Sequence, residues 1–162
     1  MEVIRDATRD DFARINEIYN WTIVDNHISF DTEPWTIESR ASWCEGRDAD
    51  LDLLVAEVEG NVVGVAYSSR YRPKKAYRSS AETTIVLDTD HLGAGLGTRL
   101  LGALLGRLKD RGLRTAIAIV ALPNEASMGL HQKLGYETVG VIHEAGFKYN
   151  KYWDTAILER RV

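Results

Sequence analysis

Residues 87–101 read LDTDHLGAGLGTRLL: an apolar run ends, glycines stand at 93, 95 and 97, and a leucine-rich pattern begins at once. Leu96, Leu100, Leu101, Leu104, Leu105 and Leu108 recur at helical spacing until Gly112, after Lys109 and Arg111. The run before the glycines, AETTIVL (81–87), has strand composition. A strand, a glycine-rich turn and a helix N-terminus together can hold an anion, because unpaired N–H groups and the helix dipole face outward. The plainer alternative is a tight turn with no ligand. A P-loop is excluded, since Gly97 is followed by Thr98 and Arg99 rather than Lys and Ser/Thr. A dinucleotide fold is excluded too: GxGxG sits mid-chain, and 113–122 offers no acid for a ribose.

Around this centre the period alternates. The segment 2–7 reads as a strand, Thr8 and Asp11 as a capping box, and Phe12, Ile15, Ile18 and Tyr19 as a helix face. A second helix is predicted from Thr36 to Arg47, with Ile37, Ala41 and Cys44 along one side. Strands are predicted at 53–58 and 62–70, separated by the turn residues EGN. The continuously apolar 115–122 is expected to be a strand covered on both faces, followed by a helix from Asn124 to Gly135 and strands at 137–143 and 152–158. Short links make strands 2 to 4 antiparallel, whereas 87 to 115 spans a helical crossover, so the sheet is mixed. The fold class is α/β with a mixed, mostly antiparallel sheet of about seven strands and about four helices, in one domain over 1–162.

Composition bounds the function. The chain has 162 residues, a net charge of −4 and one cysteine, Cys44, so no intramolecular disulfide and no Cys/His zinc cluster is expected. The N-terminus has no apolar targeting segment and no run approaches a membrane span, which points to the cytoplasm. Basic residues gather only in RYRPKKAYR (70–78), too small a patch for nucleic acid but suited to a small anion.

The glycine loop resembles the cofactor motif of the GNAT N-acetyltransferases, [RQ]xxGx[GA], with Leu92 where Arg or Gln is usual. FDTEPWTIESRASW (30–43), RPKKAYRSSAE (72–82), LPNEASMGLHQKLGY (122–136) and GFKYNKYWD (146–154) resemble the phosphinothricin and methionine sulfoximine branch of that family, across nearly the whole chain. The resemblance implies acetyl-CoA as cosubstrate, no metal, a small amino-acid acceptor and a homodimer. It implies that Leu92, Gly93, Ala94, Gly95, Leu96, Gly97 and Thr98 hold the pyrophosphate. Ile85, Val86 and Leu87 would pair with the pantetheine arm, with Asn124 and Lys133 also touching coenzyme A.

Acetyl transfer to an amine needs a base, donors for an oxyanion and a proton for the leaving thiolate. Glu82, at the start of the strand feeding the loop, is the candidate base; a solvated strand-edge acid is the bland alternative. His131 is the candidate general acid for the thiolate, or a second base; it shares a helix face with Asn124 and Met128, and a structural histidine is the bland alternative. Phe30, Arg72, Lys75, Ala76, Tyr77, Arg78, Thr83 and Thr84 are the candidate acceptor contacts, the cations meeting its carboxylate. Lys74 stands where relatives carry arginine. Two other readings stay open: acetylation of protein N-termini or lysines, and a non-catalytic acyl-CoA-binding sensor.

Overall fold

A computed structural model describes residues 1–162. Seven strands form one sheet: β1 (Glu2–Asp6), β2 (Leu53–Val58), β3 (Asn61–Arg70), β4 (Ser80–Leu87), β5 (Thr115–Ala121), β6 (Glu137–Lys148) and β7 (Lys151–Arg161). Their spatial order is β1-β2-β3-β4-β5-β7-β6, with β4–β5 the sole parallel pair. The helices are α1 (Phe12–Asn20), α2 (Ile37–Glu45), α3 (Leu96–Asp110) and α4 (Glu125–Lys133).

Local chemistry accounts for these boundaries. Thr8 donates its N–H to Asp11 Oδ2 at 2.7 Å, and Arg5 grips the same carboxylate through its two terminal guanidinium nitrogens at 2.7 and 2.9 Å. That pairing holds the Asp11 carboxyl down at about 2. Glu59 and Gly60, both at positive φ, make the two-residue turn between β2 and β3. Thr36 caps α2 by accepting from the Ser39 N–H at 3.1 Å.

The strands alternate between two cores. On one face α3 buries Leu96, Leu100, Leu101, Leu104, Leu105 and Leu108 against Leu54, Ala56, Ala66, Ala116 and Leu158. On the other, Ile15 and Ile18 of α1 pack on Val55, Val65 and Val86. Gly64 lies where α3 presses closest: a Cβ there would stand 2.6 Å from Leu87 Cδ2 and 3.2 Å from Leu100 Cδ2.

Three expectations are corrected. In α2 the inward residues are Arg40 and Cys44, while Ile37 points out and is 56% exposed. The helix faces a wall of aromatic rings that accommodates a guanidinium, so of the apolar positions expected inside, Cys44 is buried and Ile37 is not. In β5 Ile119 is 43% exposed because the sheet opens beside it. And β6 and β7 run well past 143 and 158 as a long hairpin; register shifts after Thr138 and Ile142, with Glu144 at positive φ, blur the alternation that would have revealed it.

Leu104 is fully buried between α3 and the sheet. Leu104→Ala is expected to cost about 2–5 kcal/mol, read as a lower urea midpoint with unchanged slope.

Candidate active site

β4 and β5 are paired only at Ser80–Thr115, Ala81–Ala116 and Glu82–Ile117. Beyond that point β4 continues to Leu87 beside β3, and β5 continues to Ala121 beside β7, without pairing each other. The strand edges facing the gap therefore carry backbone donors and acceptors that the sheet does not use. Thr83 bridges the gap at its apex: Oγ1 donates to the Ile117 carbonyl at 3.2 Å and accepts from the Tyr136 hydroxyl at 2.7 Å.

A cavity of about 300 Å³ fills the opening. Its walls include Glu82 to Val86 from β4, Ala118 to Ala121 from β5, Asn124, Ser127 and His131 from α4 and its cap. Tyr19, Thr22, Ile28, Ser29 and Phe30 close the α1 side, and Tyr67 comes from β3. Phe30 is held against the backbone of β6, where a Cβ on Gly146 would run into its ring. Lys148 donates to the carbonyls of Ile23 and Ser29 at 2.7 and 2.8 Å, tying the loop after α1 to the hairpin.

Besides Tyr19 and Tyr67, two titratable residues line this cavity, Glu82 and His131. Burial pushes the Glu82 carboxyl above its ordinary value, with no compensating cation. Burial pushes His131 down, only partly offset by its hydrogen bond to Ser127. His131 Nδ1 lies 2.8 Å from the Ser127 carbonyl oxygen, which can only accept, so Nδ1 carries the proton. Nε2 is then a lone-pair acceptor, buried and without a partner. In this neutral form His131 takes a proton and has none to give, so it suits a base first and an acid only after it has been protonated.

The glycine loop lies at the far end of β4. Gly93 and Gly95 adopt φ of 82° and 76°, and Gly95 precedes the first turn of α3. Gly97 is wedged: a Cβ would stand 3.2 Å from Leu87 and 3.3 Å from Leu130. Leu92 is exposed, as are Gly93 and Ala94, while Leu96 and Gly97 are buried. The open first turn of α3 and the unpaired strand edges fit a ligand with a charged phosphate end and an amide-bearing arm. Asn124 uses its Oδ1 to cap α4, accepting from the Ser127 N–H at 3.1 Å, and also lines the cavity. Met128 turns to a separate groove with Trp153, so it does not share the His131 surface. Lys133 is exposed at the end of α4.

The structure thus brings Glu82, Thr83, Thr84, Ile85, Val86, Asn124, His131 and Phe30 together. It does not bring Arg72, Lys75, Ala76, Tyr77 or Arg78 to the cavity. They lie in the exposed link and 3-10 turn before β4, on the other side of the paired residues 80–82. Arg72 stacks near Tyr71 at 5.1 Å, and Arg78 lines a groove with Arg70 and Arg111. Sequence reasoning missed Tyr19, Tyr67 and the β5 wall 118–121; the three-pair contact with β5 has no sequence signature.

A family model described as "Acetyltransferase (GNAT) family" matches residues 15–136. The chain is 36% identical to a phosphinothricin N-acetyltransferase of Streptomyces coelicolor, covering 97% of this chain and 94% of that protein. It is 32% identical to an L-methionine sulfoximine/L-methionine sulfone acetyltransferase of Pseudomonas paraeruginosa, covering 96% and 92%. A crystal structure of a GNAT superfamily phosphinothricin acetyltransferase from Sinorhizobium meliloti in complex with AcCoA superposes with a TM-score of 0.95. It is 32% identical, and the match covers 99% of this chain and 88% of that one.

Glu82 also has a stability signature. Its folded pKa lies above the unfolded value, so between the two the native state holds more protons and stability falls as pH rises. Glu82→Gln is expected to raise the melting temperature at pH 7 relative to wild type, with the gain shrinking toward pH 4. Thermal unfolding followed by circular dichroism at both pH values checks it.

Proposed function

This chain belongs to the GNAT family of acetyltransferases, and we propose that it transfers acetyl from acetyl-CoA directly to the α-amino group of a small amino acid or analogue. Methionine sulfoximine, methionine sulfone and phosphinothricin are the leading acceptors, as the names of its relatives suggest. The observation that carries the reading is that Glu82 and His131, whose Nε2 is buried and without a partner, line one cavity at the parted strands.

Acetyl-CoA supplies a thioester carbonyl as the electrophile. Glu82, with its raised pKa, takes the first proton from the ammonium of the acceptor, directly or through one water. As the new C–N bond forms, the nitrogen must shed a second proton, and neutral His131 accepts it at Nε2. Protonated His131 then returns that proton to the departing thiolate as the C–S bond breaks. The sum is one amide, one thiol and one proton left on Glu82. Unpaired N–H groups along residues 83–87 of β4 serve the thioester oxygen and the amides of the pantetheine arm. Gly93 to Thr98 would hold the pyrophosphate at the head of α3. Asn124 stiffens the start of α4 on the cofactor side, and Lys133 would reach the cofactor from its end. Cys44 is buried in the α2 packing, so transfer through a cysteine is not part of this scheme.

A cytoplasmic homodimer completes the reading. Val139, Val141, Ile142 and Phe147 of β6 are exposed apolar side chains that a second copy would cover.

The test is thiol release from acetyl-CoA against methionine sulfone, methionine sulfoximine, phosphinothricin, the standard amino acids and short peptides. Turnover on the first three is expected, with kcat/KM falling as Glu82 becomes protonated. Glu82→Gln is expected to lower the rate by about 10²–10⁴-fold and to remove the Glu82 part of that acidic limb, leaving the part that protonation of His131 contributes. Turnover on peptides alone would move the chain to protein acetylation; tight coenzyme A binding with no turnover would make it a sensor. Separately, Gly146→Ala is expected to push Phe30 out of the cavity wall, raising KM for the amino acid while leaving KM for acetyl-CoA unchanged.

A further inference from the structure

Behind the α1 side of the cavity lies a buried cation with no carboxylate partner. Arg40 is 1% exposed. Its guanidinium carbon sits 4.3 Å from the Tyr19 ring centre, 4.1 Å from Trp35 and 5.1 Å from Trp43. Nε reaches Asn16 Oδ1 at 3.4 Å, and Nη2 is buried with no hydrogen-bond partner at all. Aromatic faces and one long amide contact are meagre compensation for a buried charge. Accordingly, burial holds the Arg40 guanidinium below its ordinary value.

A second cation, Lys148, is buried close by and bonds to the carbonyls of Ile23 and Ser29. Both feel the same acid, Asp31. Asp31 is occupied: its Oδ2 accepts from the Tyr19 hydroxyl at 3.2 Å and from Trp35 Nε1 at 3.1 Å. Two cations against one carboxylate leave this corner positive. Tyr19 separates Arg40 from the cavity, and Ser29 separates Lys148 from it; both also line the cavity. Glu82, the acid of the cavity itself, stands on β4 where the strands part. The cavity is therefore polarised, with the base at the fork and excess positive charge behind the α1 wall.

We infer that this polarity selects and orients an acceptor that carries an anionic group beside its amine, and that Arg40 is the positioning residue responsible, acting through the Tyr19 ring rather than by contact. The inference rests on the acceptor reading above. It adds a buried source of selectivity for a carboxylate to the exposed cations of 72–78, which do not line the cavity. Unlike theirs, the field of Arg40 is set in a dry, low-dielectric packing and is little screened by salt.

The experiment compares methionine sulfone with its primary amide as acceptors, for wild type, Arg40→Gln and Arg40→Lys. Arg40→Gln is expected to raise KM for the free acid about tenfold, the scale of one charge acting across a ring at an intermediate dielectric. KM for the amide and for acetyl-CoA should stay within twofold, and Arg40→Lys should keep most of the preference for the acid. An acid-to-amide ratio in Arg40→Gln equal to that of wild type, whatever the loss of turnover, would reduce Arg40 to a packing element and overturn the inference. Should Arg40→Gln fail to fold, salt decides it with wild type alone. An acid preference that persists from 0.05 to about 1 M KCl supports a buried source, whereas one that collapses points to exposed cations. Turnover of neither acceptor, nor of any other amino acid, would instead remove the acceptor reading on which the inference stands.

Discussion

The early end of the β4–β5 ladder is the constraint on which the rest of the structure depends. Parallel neighbours in the middle of a sheet normally pair along their length, and these two stop at Glu82 and Ile117. The divergence has to be stabilised at its apex, and Thr83 does so by bonding to Ile117 while Tyr136 locks its hydroxyl from below. The outer partners, β3 and β7, keep the two strands in one sheet beyond the split. The result is a notch at the centre of a well-packed domain, lined by main-chain groups aimed at whatever enters.

Groups that are unfavourable for the fold collect around that notch. Glu82 is half-buried with no cation, His131 Nε2 has no partner, and Arg40 and Lys148 are buried without their own carboxylates. The leucine face of α3 and the valines under α1 supply the compensating burial on the two faces of the sheet. A site of this kind carries strain that a packed core elsewhere can tolerate, and replacing its charged groups with neutral ones tends to raise stability while lowering activity.

Most of the framework was legible in the sequence because its signals are local. The leucine period of 96–108, the glycines at 93–97 and the Glu59–Gly60 turn each specify their own geometry, and every leucine of that period is buried. The proposed donor side, the glycine turn at the head of α3, is read from the same stretch. The α1 wall of the cavity is not. Residues 72–78 look like an anion site because their cations are adjacent in sequence, yet the turn before β4 keeps them outside the cavity. Arg40, in contrast, reads as an exposed helical arginine until Tyr19, Trp35 and Trp43, from three separate segments, close around it. Charge burial of that kind depends on tertiary packing and leaves little trace in periodicity.

The position of β7 has a consequence for how the molecule is made. The last strand of the chain is an interior strand of the sheet, inserted between β5 and β6. During synthesis on the ribosome, β1 to β5 and α3 can assemble as residues emerge, whereas β6 has no neighbour in the sheet until β7 has followed it. The same late hairpin carries Lys148 and Gly146, which fasten the loop at 23–30. A nascent chain therefore builds the strands around the glycine turn before it acquires the hairpin that closes the α1 side of the cavity.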